Sequence, residues 1–259
     1  MSIVGLTVIK VTNLLLLLLL FSCAEVRTLT PSSRFISPES AHDTGHGSVQ
    51  AFYQMGTEST LNANENEFDK PMDLDASARF SMGLDVNIYE KINLFYFTNQ
   101  DSAPLFGMKY QLMGPNKKEA KKGDQSLAIT LGGGGSSEAR EDENAIFDDS
   151  DFHEVRVHRN LLDASIIYGK RIEERVLWYS SVQITQHRLH VAIEDDSSSL
   201  NGESIDYQTT NLGAASGIML YDKKGRFHFA IEASYQKTKW TKNDESHRAF
   251  INGAMGFNW

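Results

Sequence analysis

The chain has 259 residues, a net charge of −9 and 10% aromatic residues, enough for one large all-β domain or two small ones. The acidic balance and the absence of a basic stretch exclude nucleic acid as the main partner. Cys23 is the only cysteine, which excludes an internal disulfide, so stability has to come from a large core or a closed hydrogen-bonded barrel.

The N-terminus has the pattern of an export signal. Lys10 is the only charge in the first 24 residues, and the apolar run 14–21 that follows is too short for a membrane-spanning helix of roughly 20 residues. The run ends in Leu-Phe-Ser-Cys at 20–23, which resembles the lipobox of bacterial lipoproteins. That resemblance implies that Cys23 is acylated and begins the mature chain, and Ala24 after it implies sorting to the outer membrane. Cleavage near Ala24, with Cys23 removed, is the alternative.

Residues 1–22 are therefore predicted to be a signal peptide and 23–47, which are polar, a flexible periplasmic linker. The remainder, 48–259, is predicted to be one β-domain.

From Ser48 onward apolar and polar residues alternate with a period of two, which is typical of strands and not of helices. In 76–88, for example, Phe80 and Leu84 share one face while Arg79 and Asp85 share the other. An even number of about ten strands is typical of single-chain outer-membrane barrels. The predicted strands are 48–55, 76–88, 92–98, 105–113, 125–132, 159–169, 175–191, 206–221, 226–238 and 249–259.

The connections between these strands alternate in length, as they do in outer-membrane barrels. Tight turns are predicted at 89–91, 170–174 and 222–225, and long polar segments at 56–75, 136–152 and 195–205. If the N-terminus lies in the periplasm, all the tight turns fall on the periplasmic side. Two connections break the trend, the long lysine-rich 114–124 and the short 100–102.

Two further features favour a membrane barrel over a soluble one. The apolar faces carry no charge and end in aromatic residues, as the interfacial girdles of such barrels do. The last strand places Met255, Phe257 and Trp259 on its apolar face, which resembles the C-terminal targeting signal of outer-membrane barrels. We therefore predict an all-β, transmembrane, antiparallel up-and-down β-barrel of about 10 strands. The predicted girdle residues are Tyr110, Tyr168, Trp178, Tyr221, Phe227, Tyr235, Phe257 and Trp259.

If the apolar face meets lipid, the opposite face lines the lumen. Charges of both signs in a narrow bore should pair with one another, so we expect a plugged lumen and a structural or surface-interaction role. A small porin-like channel and a lipid-anchored soluble periplasmic β-domain are the alternatives. The predicted lumen-facing charges are Arg79, Asp85, Lys109, Arg159, Asp163, Arg226, His228 and Glu232.

Candidate chemistry is sparse, and we predict no enzyme, cofactor or metal site. An outer-membrane rim hydrolase, acting as a protease or on lipid A or phospholipid, would have to use histidines that match no motif of those enzymes. Gly132–Gly135 lacks the Lys-Ser/Thr and helix that follow a phosphate-binding loop. The acidic segments 138–151 and 194–196 do not have calcium-loop spacing. The candidate histidines are His153, His158, His187, His190, His228 and His247.

The expected partners follow from the predicted location. They are outer-membrane lipid, lipopolysaccharide and the barrel-assembly machinery, with any external partner left open.

Overall fold

The computed structural model describes residues 25–32, 34–41, 44–62, 73–99, 102–140, 155–193, 202, 204–240 and 245–259. The regular structure in these ranges consists of β-strands. They are β1 (Glu25–Pro31), β2 (Gly47–Asn62), β3 (Asp73–Tyr89), β4 (Ile92–Asn99), β5 (Leu105–Met113), β6 (Gln125–Arg140), β7 (Val155–Glu173), β8 (Val176–Ile193), β9 (Ser204–Tyr221), β10 (Phe227–Trp240) and β11 (Glu245–Asn258).

Strands β2 to β11 form a closed antiparallel barrel of ten strands, which confirms the predicted fold class. Each strand pairs with the next along the chain, and β11 returns to pair with β2 from Asn258↔Ser48 to Gly253↔Tyr53. Most of the strands exceed the roughly ten residues that a tilted strand needs to cross a bilayer.

The two ends of the barrel differ in their connections. We call one the turn end, where 90–91, 114–124, 174–175 and 222–226 join the strands. The loop end has the connections 63–72, 100–104, 141–154, 194–203 and 241–244. The C-terminus lies at the turn end, where the Trp259 amide donates to the Gly47 carbonyl (3.1 Å). In the described part of the chain, no helix is long and apolar enough to cross a membrane.

The barrel wall is apolar outside and polar inside over most of its height. Phe80 and Phe229 are more than half exposed on the outer surface, and Trp259 is 44% exposed there. Large outward side chains recur on all ten strands, as a lipid-facing surface requires. They include Val49, Phe80, Tyr96, Phe106, Leu131, Leu162, Val182, Leu212, Ile231 and Ile251.

The polarity of the wall reverses near the loop end. In β7, Leu162 points outward and Asp163 inward. Toward the loop end of the same strand Val157 is buried and Arg156 is exposed. The same reversal occurs in β8 and β9, where buried apolar residues alternate with exposed polar ones. An apolar interior with a polar exterior is the arrangement of a barrel surrounded by water, so these strands extend beyond the apolar belt.

β1 is the feature that the sequence did not predict. It pairs with the edge of β2 from Pro31↔Gly56 to Glu25↔Asn62, nearer the loop end than the residues of β2 that pair with β11. The segment 23–47 was predicted to be a flexible periplasmic linker, and the described residues 29–32 and 34–40 are instead buried inside the barrel. The prediction failed because the polar side chains of this segment find partners in the lumen rather than in water.

Two single positions also differ from the prediction. Tyr221 was placed in the outer girdle, but it lies on the inward face of β9 and is buried. Arg226 was predicted to face the lumen, but it is exposed in the turn before β10. Tyr221 follows the odd-numbered residues 207–219 of β9, which are buried, and Arg226 precedes the first residue of β10, so the alternation of that strand does not set its direction.

Candidate functional site

Residues 29–41, which we call the plug, run through the bore of the barrel from one end to the other. The chain enters at the loop end, where β1 lies along β2. It reaches the turn end at Ala41, whose carbonyl accepts a hydrogen bond from Asn87 Nδ2 (3.5 Å). The bore is therefore occupied along its length by the protein's own chain.

The part of the plug nearest the loop end is held by a polar cluster around Ser32. The Ser32 hydroxyl donates to the Met55 carbonyl (2.6 Å) and accepts from Ser234 Oγ (2.8 Å) and Asn252 Nδ2 (3.1 Å). The Thr30 carbonyl accepts a hydrogen bond from Nε2 of Gln236 in β10 (3.4 Å). Burial removes these groups from water, and the hydrogen bonds compensate for the lost hydration.

Arg34 anchors the middle of the plug to β7. Its guanidinium lies 3.0 Å from Asp163 Oδ2, and the Thr185 hydroxyl donates to the same oxygen at 2.6 Å. The two charged side chains are almost fully buried, so each depends on the other for neutralisation.

Phe35 fixes the plug by packing and has unusual backbone geometry. Its φ of 48° lies in the left-handed region, which a bulky residue adopts only when its surroundings force it. Its ring lies 5.7 Å from that of Phe52, which contacts Phe97, and Phe97 in turn packs on Phe95. The wall makes room for these rings, since a Cβ at Gly107 would overlap Phe95. The aromatic rings seal the bore at this level.

The part of the plug nearest the turn end carries the densest ionic network. Arg171 donates to both carboxylate oxygens of Glu39, from Nε at 2.7 Å and from Nη2 at 2.5 Å. The Lys109 ammonium donates to the Ser37 carbonyl (3.1 Å), the Glu39 carbonyl (3.2 Å) and Asp85 Oδ2 (2.9 Å), which uses all three of its protons. Every charge here is matched by a partner within the bore.

Most of the predicted lumen-facing charges lie inside the barrel and take part in this packing. Arg79 is half-buried and pairs with Glu58, and Arg226 is the exception noted above. The residues that are buried in the bore are Asp85, Lys109, Arg159, Asp163, His228 and Glu232. Sequence reasoning missed two charges of the plug, Arg34, which pairs with Asp163, and Glu39, which pairs with Arg171. The available signal was the apolar Phe35 and Ile36 between these two charges, which a solvated linker does not need.

The predicted C-terminal signal residues Met255, Phe257 and Trp259 all lie on the outward face of β11 or at its end. The predicted lipid attachment residue Cys23 lies outside the described residues.

The histidines are dispersed and form no nucleophilic arrangement where their contacts are known. His187 and His228 are buried in the bore, while His190 Nδ1 lies 2.9 Å from Asp206 and His247 Nδ1 2.7 Å from the Tyr235 hydroxyl on the outer surface. His158 packs beside His190, and His153 lies outside the described residues. Among the residues that the structure describes, no group of three His, Cys, Asp or Glu side chains could hold a metal ion.

The other candidate segments have ordinary structural positions. Gly132–Gly135 lies within β6, paired with β7, and a Cβ at Gly134 would overlap the Pro104 carbonyl. In the acidic segment 138–151, Glu138 pairs with Arg159 at 2.8 Å, and 141–151 lie outside the described residues, as do 194–196.

Comparison with known proteins gives a weak structural likeness only. No protein-family model matches the chain, and no curated protein matches its sequence. A solved structure described as "Copper transporter OprC" is similar with a TM-score of 0.34 and 8% identity, over 85% of this chain. The chain spans 43% of that protein's length. A likeness at this level carries no argument about function, which has to come from the geometry of the barrel itself.

Proposed function

We propose that this chain is an outer-membrane β-barrel protein with a structural or surface-interaction role, whose narrow lumen is closed by its own N-terminal segment. The observation that carries this proposal is the plug. The bore is lined with charged side chains, and the plug fills it and pairs with several of them. Arg34 pairs with Asp163, and Glu39 pairs with Arg171.

The outer surface supports a membrane location. Ile231 and Ile251 are 68% and 71% exposed on neighbouring strands, and similar side chains surround the barrel. Soluble monomers rarely expose a contiguous apolar patch of more than a few hundred Å². A soluble periplasmic β-domain would have to place these side chains in its interior, so it is disfavoured.

The two ends of the barrel suggest its orientation. Short turns face the periplasm in bacterial outer-membrane barrels, and the longer connections face outward. With the turn end in the periplasm, the polar extension of β7 to β9 projects from the cell surface, where lipopolysaccharide and external partners are found. Residue 25 then lies at the cell-surface mouth, in place of the periplasmic N-terminus that the sequence predicted. Acylation of Cys23 stays a prediction, which labelling with radioactive palmitate tests.

Electrophoresis of detergent-extracted protein tests the membrane barrel. We expect an unboiled sample in SDS to migrate faster than a boiled one, because a closed barrel resists cold SDS. A single band that heating does not shift would contradict the closed membrane barrel.

Planar-bilayer recording separates the plugged barrel from a small porin-like channel. We expect the native protein to give no reproducible conductance step. A gated channel is the second candidate, because among the described strands the plug pairs only with β2. Beyond that pairing it is held mainly by side chains, with a backbone hydrogen bond from the Lys117 amide to the Ser40 carbonyl (2.9 Å). The variant Arg34→Ala/Glu39→Ala removes two of those anchors, and steps in this variant alone would indicate a plug that can leave. The control Lys122→Ala/Glu173→Ala removes an exposed ion pair and should stay silent.

A further inference from the structure

A basic cavity of about 480 Å³ opens at the turn end of the barrel. It lies where the connections 114–124 and 222–226 meet the chain terminus and the lower end of the plug. No network described above uses it. Its walls are made by four separate parts of the chain, so the fold and not a local sequence motif creates it.

The charged side chains that line the cavity are cationic. Lys117, Lys118, Lys224 and Arg226 line it, and none of the described lining residues has an acidic side chain. The neighbouring Asp222 is engaged by the backbone amides of Phe227 (2.8 Å) and Lys224 (3.2 Å), and these bonds, with the charge of Arg226, lower the pKa of its carboxyl. Four cationic side chains that line one cavity attract an anion.

Lys117 is the innermost of these cations. Its ammonium donates to Asn258 Oδ1 (3.2 Å) and lies 5.7 Å from the centre of the Tyr221 ring. Burial and the positive charge of Lys109 lower the pKa of Lys117 to about 8. The carboxylates of Asp85 and Glu39 partly offset these effects, and an anion in the cavity would stabilise the charged ammonium further.

The outer wall of the cavity is aromatic and continues into the apolar surface. Phe257 and Trp259 line the cavity and are also exposed to the outside. Phe257 packs edge-to-face on Phe227, with ring centres 5.2 Å apart, and Phe229 and Met255 continue the apolar strip along β10 and β11. Aromatic residues at such a boundary are typical of the level of lipid headgroups.

We infer that this cavity binds the phosphate of an anionic phospholipid in the periplasmic leaflet of the outer membrane, whose acyl chains lie along β10 and β11. The inference rests on the proposed function, since it needs the turn end to lie in the periplasmic leaflet. It goes beyond that function by naming a lipid class and a site. A basic pocket next to an apolar protein surface is a known means of selecting anionic headgroups.

Native mass spectrometry of the full-length protein in detergent tests the site, with dioleoylphosphatidylglycerol, dioleoylphosphatidylcholine and inorganic phosphate as probes. We expect one tightly bound phosphatidylglycerol and at least about tenfold weaker binding of phosphatidylcholine, because only the former carries net charge. The variant Lys118→Gln/Lys224→Gln/Arg226→Gln should weaken phosphatidylglycerol binding by about tenfold or more. These three side chains lie at exposed turns, so the barrel should still form.

The matched control is Lys121→Gln/Lys122→Gln/Arg175→Gln, which removes the same charge at the same end but outside the cavity. It should bind phosphatidylglycerol as the native protein does. Equal loss in both variants, equal binding of the two lipids, or inorganic phosphate binding as tightly as phosphatidylglycerol would each overturn the inference. A protein that shifts on boiling but binds no lipid rejects the site and leaves the membrane barrel standing, whereas a protein that does not shift rejects the barrel first.

Discussion

Glu39 and Arg171 lie side by side inside the barrel, where the guanidinium donates to both oxygens of the carboxylate and both side chains are at most 3% exposed. One residue belongs to the plug and the other to the wall, so this pair joins two parts of the chain that are 132 residues apart. The Arg171 guanidinium also stacks on the Tyr221 ring, 4.6 Å from its centre. A buried ion of either sign would be left without compensation if its partner were removed.

We therefore expect Glu39→Gln to lower the free energy of unfolding by about 3–5 kcal/mol, because the Arg171 charge stays buried without a full counterion. The temperature at which the protein in SDS loses its fast-migrating form measures the effect. Lys122→Gln breaks a pair whose side chains are 65% and 57% exposed, and should change stability by about 0–1 kcal/mol. Similar shifts for the two variants would argue against a buried pair.

The apolar belt makes a prediction about insertion. Ile231→Arg places a charge on the outward face of β10 and should reduce folding into phospholipid vesicles by about 2–4 kcal/mol if it lies near the bilayer midplane. Gln208→Arg is the matched control, since Gln208 lies in the polar extension of β9. Folding yields from urea into vesicles measure both. Equal tolerance of the two substitutions would show that the outer surface of β10 does not contact lipid.

The course of the plug makes a prediction about topology. A peptide epitope placed directly before Glu25 should be recognised by antibody on intact cells, because the chain reaches the loop end at this residue. The same epitope between Lys223 and Lys224, at the turn end, should be recognised only after the outer membrane is made permeable. The reverse pattern would place the turn end outside.

Lys117 gives a pH dependence with a defined sign. Its pKa falls from 10.5 in the unfolded chain to about 8 in the fold, mainly through burial. Between these two values the unfolded chain binds more protons, so stability should rise as the pH increases from 8 to 10.5. Unfolding in urea in zwitterionic detergent measures the slope, and Lys117→Met, which has no titrating group, should show a smaller one. Identical slopes would mean that the ammonium is not desolvated.

Much of the barrel could be predicted from the sequence, because one face of each strand meets lipid and the other meets polar groups. Strand β5 begins at Leu105 and ends at Met113, as its alternation predicts. β7 is longer than the predicted strand 159–169. Its outward-facing residues change from polar, at His158 and Asn160, to apolar, at Leu162, within one strand. A reversal of polarity in mid-strand resembles a strand end when only the sequence is available.

The plug could not be predicted in the same way. Its residues do not alternate, and their partners come from many strands that are distant in sequence, such as Asp163 for Arg34 and Gln111 for the amide of Ser40. Only the three-dimensional closure of the barrel brings these groups together. The basic cavity has the same origin, since Lys118 and Lys224 are neighbours only because their turns share one end.

The position of β1 has a consequence for assembly. The plug precedes every wall strand along the chain, and it lies on the edge of β2 beside which the final strand arrives. Aromatic rings of the wall and the plug pack against one another inside the closed barrel. This packing leaves little space through which the plug could enter after the barrel has closed. We therefore expect the wall to form around a plug that is already in place, with the pairing of β2 and β11 as the step that encloses it.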